Sequence, residues 1–176
     1  MANVRQYNNL VTASEVITQS FTNQATDQSL ISNEIITIAE LAHIKPYLGL
    51  DMYEELKTQN HNSTLTTANS TLVTHYLKPA LCWYVRFEVM NEIQYNTTSA
   101  GLVLNTSDFS SPANVEQFNQ MKNDTFRKAQ VLLDDMIAYI THEDQTNDYP
   151  LYGKDGDYST PNDGDLAKKM NGIIFY

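Results

Sequence analysis

A chain of 176 residues, 41% of them apolar and eleven of them tyrosine, has the size for one domain with a core of its own. Its 21 acidic residues against 11 basic ones give a formal net charge of −10. That balance, with no cluster of Lys and Arg visible along the sequence, excludes a surface that grips nucleic-acid phosphates, though not an acidic wall that DNA slides past. No run of 18 apolar residues occurs, so no membrane span is expected. Cys82 is the single cysteine, which excludes an intrachain disulfide framework and suits a reducing cytoplasm.

In chain order, "MANVRQYNNL" has no apolar h-region, so it reads as no secretory signal, and residues 1–13 read as a polar N-terminal arm. The five N-x-S/T sequons, at Asn62, Asn69, Asn96, Asn105 and Asn123, are then a compositional accident. "TASEVITQSF" at 12–21 holds a short helical turn with Ser14 as its N-cap. Asp27 is the expected N-cap of an amphipathic helix carrying Leu30, Ile31, Ile35, Ile38, Ala39 and Ala42 at helical spacing. Pro46 is expected to kink or end that helix and Gly49 to supply its left-handed cap. A short helix follows over about 51–57, and then a polar solvent loop over 58–70.

From 71 to about 95 runs the most apolar segment. Leu72, Tyr76, Ala80, Trp83 and Phe87 lie on one helical face, and Val73, Leu77, Leu81, Tyr84 and Glu88 on the next. A helix apolar over most of its circumference is a central helix, here with a kink expected at Pro79. Leu102, Val103 and Leu104 make a brief β-like run inside a long connection, read as an extended loop or hairpin. Ser111-Pro112 is expected to start a last helix, whose stripe is Phe126, Ala129, Leu132, Leu133, Met136, Ile137 and Ile140. Residues 146–176 form an acidic, aromatic tail ending in "GIIFY", which docks on its own core or on a neighbour. The expectation is an all-α core over 14–145, a helical bundle of three to four main helices, with the loop or hairpin and both terminal segments extending from it.

Chemistry is sparse. The four histidines, His43, His61, His75 and His142, fall in no H-E-x-x-H motif, and no C-x-x-C is present. His75 and Cys82 share a helix face, and packing explains them better than two ligands explain a metal site. Glu88 and Glu92, one turn apart, can face Asp134 or Asp135, but the Glu-x-x-His pairs of a di-iron bundle are missing. "DGDYSTPNDGD" at 155–165 has the composition of a calcium loop with Thr160 and Leu166 where that loop requires Gly and Glu. No nucleophile elbow or phosphate-binding glycine loop occurs, and Cys82 sits mid-helix where burial makes it inert. No catalytic residue, metal or cofactor is therefore expected, and no enzyme activity.

Taken together, "LVTASEVITQSF" and "DQSLISNEIITIAELAHIKPYLGLDMYEEL" resemble the opening of head–tail connector (neck adaptor) proteins of tailed bacteriophages, especially those of Bacteroidales phages including the crAss-like group. The pattern is a short helix, an acidic N-cap, an amphipathic helix ending in I-x-x-x-L-G and an aromatic turn. Ile44, Leu48, Gly49, Met52, Tyr53 and Leu56 carry it here. The resemblance extends over roughly residues 11–145 and leaves the arm and tail outside.

It implies a structural virion protein at the neck: a homo-oligomeric ring, commonly twelvefold, beneath the portal. Such a ring extends the DNA channel without specific binding and carries other neck or tail proteins, with no membrane partner. In that setting Leu102, Val103, Leu104 and Phe109 of the loop, and Ile173, Ile174, Phe175 and Tyr176 of the terminus, are the expected contacts with the next subunit or the portal. A cellular helical adaptor that binds one protein through the same apolar features is the alternative.

Overall fold

The computed structural model describes residues 8–21, 27–98, 101–104, 115–142 and 148–154, with backbone alone at 91, 93–98 and 101–104. The helices are α1 (Ala13–Ser20), α2 (Asn33–Ala39), α3 (Lys45–Leu48), α4 (Leu50–Asn62), α5 (Thr67–Thr71), α6 (Lys78–Gln94) and α7 (Val115–Thr141). Strands β1 (Tyr95–Thr98) and β2 (Gly101–Leu104) form one antiparallel hairpin. Two π-turns, Glu40–Ile44 and Leu72–Leu77, join α2 to α3 and α5 to α6 without a break. The described residues thus make an all-α bundle of four main rods (33–48, α4, 67–94 and α7), with short α1 at its side.

Each helix start has a local cause. Thr12, not Ser14, caps α1: its hydroxyl accepts from Glu15 N at 3.3 Å while Glu15 Oε2 accepts from Thr12 N at 2.8 Å. This T-x-x-E sequence is a capping box, which satisfies two orphan donors at once. Asp27 caps only the 3-10 turn Gln28–Leu30, accepting from Ser29 N at 2.9 Å. Ser32, one turn nearer the apolar run, caps α2.

Neither proline breaks its helix. A proline lacks an N–H and crowds the carbonyl four residues earlier. At both sites the chain answers with a wider turn just before it: Lys45 N bonds to Glu40 O, and Lys78 N to Val73 O, each five residues back. The expected kinks are absorbed as π-bulges.

Gly49 ends α3 with φ 81° and ψ 163°, a positive-φ extended conformation rather than the left-handed helical one expected. It is also the residue before α4, which runs to Asn62 instead of stopping near 57. The expected solvent loop 58–70 shrinks accordingly. Ser63 closes α4 at φ 57° and Thr66 caps α5. Gln59 Oε1 then accepts from Asn69 Nδ2 at 2.8 Å and Thr66 N at 3.3 Å, which holds the two helices together.

α6 is central, as its composition implied, packing against α1, α2 and α7. Along the rod 67–94, Val73, Leu77, Leu81 and Tyr84 of one apolar face are buried with Glu88 half-buried, while on the other Tyr76, Trp83 and Phe87 are half-buried at the edge. On α7 the buried stripe is Phe118, Thr125, Ala129, Leu133, Met136 and Ile140. The expected Ser111-Pro112 start lies outside the described residues.

Both presumed terminal segments contribute to the core. Leu10 and Val11, assigned above to the arm, are buried, which stabilises by roughly 1.5–3 kcal/mol for each such side chain. Residues 148–154, assigned to the tail, dock on the α3–α4 corner. Gly153 N bonds to Leu48 O at 2.9 Å and Asp51 N to Lys154 O at 3.0 Å. Tyr149 is buried against Tyr139, its hydroxyl donating to Ala68 O at 3.0 Å.

Candidate functional site

Among the described residues no group of three or more His, Cys, Asp or Glu is placed to hold a metal ion. No helix there is long and apolar enough to cross a membrane. His75 is exposed while Cys82, on the same helix, is fully buried. Burial, with the Glu15 carboxylate adding to it, pushes the Cys82 thiol up to about 12 despite the opposing Lys78 ammonium. A thiol so placed is neither ligand nor nucleophile near neutrality.

Glu88 does not face Asp134 or Asp135 in a carboxylate pair. Its Oε1 lies 2.7 Å from His43 Nε2, on the first π-turn. The His43 ring stacks on Tyr84 at 4.2 Å and meets Phe87 and Phe126 edge-on at 6.2 and 6.1 Å. The arrangement pins the π-turn to α6 and α7. It leaves a cost: the Tyr84 hydroxyl is buried with no hydrogen-bond partner among the described residues. Burial, with Tyr47 and Asp134 nearby, raises its pKa.

A second buried polar group fastens the N-terminal segment. Glu40, fully buried at the start of that π-turn, accepts from Leu10 N at 2.6 Å and Tyr53 Oη at 2.9 Å, with Lys57 Nζ 3.2 Å away. A buried carboxylate is tolerated only when so satisfied.

Among the described residues three surfaces stand out. The first is the hairpin, with register Tyr95↔Leu104, Asn96↔Val103, Thr97↔Leu102 and Thr98↔Gly101. It places the expected contact residues Leu102, Val103 and Leu104 on β2. Among the described residues its one substantial contact with a helix is with α6, from which it springs. Phe109, Ile173, Ile174, Phe175 and Tyr176, and the calcium-like stretch 155–165, lie outside the described residues.

The second is a basic patch that the sequence concealed. Arg86 and Lys128 lie over Trp83 of α6, Lys122 lies over Phe87, and Arg127 shares Asp124 with Lys128 on α7. Three of them fall within 122–128 on α7, but Arg86 comes from α6 and only the fold brings it to them. An open groove of about 200 Å³, between α4 and residues 148–151, was likewise invisible while those residues read as tail.

No curated protein matches the chain, and no solved structure does. One family matches residues 44–162, from the end of the first π-turn through α7 and the docked segment 148–154. With about two thirds of its length inside that match, the chain belongs to DUF6712, a family of unknown function.

Proposed function

We propose that the chain is a structural subunit of a tailed-phage neck, assembling as a homo-oligomeric ring between portal and tail in the virion. It acts by oligomerisation, without a cofactor, and lets DNA pass through its lumen without specific binding. The hairpin carries the reading. Among the described residues its sheet has two strands, so within them each strand has one edge of main-chain N–H and C=O groups that meets no further strand. An isolated two-stranded hairpin is marginal in water, and open edges are templates for pairing with another chain. A hairpin held out from the end of the central helix is therefore suited to completion by a neighbouring subunit or the portal, with Leu102 to Leu104 at the contact.

The acidic balance agrees, because a channel wall of net negative charge repels the phosphate backbone. The test is negative-stain microscopy and light scattering of the purified chain, alone and mixed with a portal protein. Rings, or assembly that depends on the portal, are expected. A chain that never joins a portal under any condition refutes the reading and leaves the adaptor alternative.

A further inference from the structure

Three of the chain's eleven basic residues, Arg86, Arg127 and Lys128, meet around Asp124 on the α6–α7 pair. Arg86 lies over Phe21 at 5.0 Å and Trp83 at 5.2 Å, and Lys128 lies over Trp83 at 5.1 Å. Part of this is internal fastening: the Phe21–Arg86–Trp83–Lys128 ladder ties α1 and α7 to α6, and Arg86 donates to Ser20 O. Two of these residues, one of them in that ladder, also reach solvent. The side chains of Arg127 and Lys128 are 67% and 45% exposed and share one carboxylate, Asp124, at 2.8 and 2.7 Å. One acid between two cations leaves the site positive. On the same outer face of α7, Met121 and Val131 stand exposed on either side of them. The positions 121, 124, 128 and 131 recur at helical spacing, so they form one stripe, apolar at its ends with the Asp124–Lys128 pair between, and Arg127 flanks that pair.

The groove between α4 and 148–151 has the opposite character. Met52, Leu56 and Leu151 supply apolar lining, Glu55 and Asp148 supply carboxylates, and no Lys or Arg lines it. Stripe and groove cannot meet within one copy. The groove's Tyr149 packs beside Tyr139, eleven residues beyond Lys128, or roughly 16 Å along the α7 axis.

We propose that the groove receives the Arg127–Lys128 stripe of α7 from a second copy of this chain. Apolar lining meets Val131 or Met121, and carboxylates meet cations. Two copies of net charge −10 repel over most of their surfaces, so a basic patch is where a second acidic molecule can approach. The contact is heterologous: each copy offers one stripe and one groove, and the pairing continues from copy to copy until rotation closes it. The inference supplies an interface for the ring reading above; it rests on that reading's self-assembly and not on the portal.

Sedimentation velocity of the full chain over a range of concentrations tests it, with three variants: Arg127→Glu/Lys128→Glu, Glu55→Lys/Asp148→Lys, and all four together. Circular dichroism checks that each is folded. Concentration-dependent association of the wild type is expected, weakened about tenfold or more in each double variant and restored when the four are combined. A wild type that is monomeric at every concentration, double variants that associate unchanged, or failure of the combined variant to recover overturns it. So does duplex DNA retained by the wild type and lost with Arg127→Glu/Lys128→Glu, which makes phosphate the occupant. Association through this pair without portal binding sustains the inference and refutes the neck reading. Portal-bound rings that form unaltered from Arg127→Glu/Lys128→Glu do the reverse.

Discussion

Gly49→Ala tests whether the α3–α4 corner depends on one glycine. A Cβ built there lies 2.7 Å from Lys154 O, 2.9 Å from Lys154 N and 3.0 Å from Gly153 C. All three are main-chain atoms of the docked segment, so no side chain can swing away to make room. The backbone conformation, φ 81° and ψ 163°, is one that residues other than glycine adopt at a cost of about 1–3 kcal/mol. Relieving the clash means lifting 153–154 from the corner, which forfeits the Gly153 N–Leu48 O and Asp51 N–Lys154 O bonds at about 0.5–1.5 kcal/mol each. Against this, the stiffer unfolded chain returns about 0.4–1 kcal/mol. The net loss is about 1–5 kcal/mol, and a loss near the middle lowers Tm by about 6–12 °C for a chain of this size. Urea unfolding followed by fluorescence of Trp83, the one tryptophan, measures the loss. Limited proteolysis reads whether 148–154 has come loose. A variant within about 0.5 kcal/mol of wild type, with that segment still protected, refutes the reasoning.

Glu40→Ala strips Leu10 N, Tyr53 and Lys57 of their shared acceptor and is expected to cost about 3–5 kcal/mol, read as a fall in urea midpoint; a loss under about 1 kcal/mol shows the network to be incidental. Tyr84→Phe removes a buried hydroxyl that has no partner among the described residues, so it is expected to be neutral or to stabilise by about 1 kcal/mol; destabilisation by that amount reveals a partner for the hydroxyl. At Glu15, burial alone raises the carboxyl pKa, but the Lys78 ammonium and the Thr12 cap outweigh it and hold it below the usual value. A depressed folded pKa contributes stability that is present above the unfolded value, near 4.5, and lost as pH falls through the folded one. Glu15→Gln is therefore expected to flatten the stability–pH curve below about pH 4.5, and an unchanged acid limb contradicts the assignment.

The periodic parts of this fold were legible. Leu81, Tyr84 and Val85 on α6, and Ala129, Leu133 and Met136 on α7, recur at the helical period and are buried as it requires. The corner at Pro46–Gly49 was legible as a change of direction but not in its geometry, because nothing in a sequence marks a bond to the fifth residue back. The same blindness turned Pro79 into an expected kink. For the docked segment, own core and neighbour stayed open for a compositional reason: "NDYPLYGK" has the Gly, Pro and Asp of a loop, and its anchors are one tyrosine and two main-chain bonds. Ser14 was a plainer miss, since Thr12 and Glu15 stood at capping-box spacing. Of the candidate contacts, β2 lay where the β-like run indicated, while the patch around Trp83 needed three dimensions because its cations come from different helices.

What the polar residues do bears on how such a molecule can act. The side chains with the best credentials for chemistry, a histidine 2.7 Å from a carboxylate and a fully buried glutamate, are spent as fasteners. Glu88 holds the first π-turn through His43, and Glu40 holds the N-terminal segment through Leu10 N. Each fastener joins segments that the apolar pattern alone leaves weakly specified: a π-turn with a shifted face and a short segment outside any helix. The same is true of Gly49, where main-chain bonds seat 148–154. Polar groups inside this bundle thus define where its irregular pieces sit. The lining of the groove between α4 and 148–151 is held in place as a result, because those main-chain bonds seat one of its walls at the corner where α4 begins.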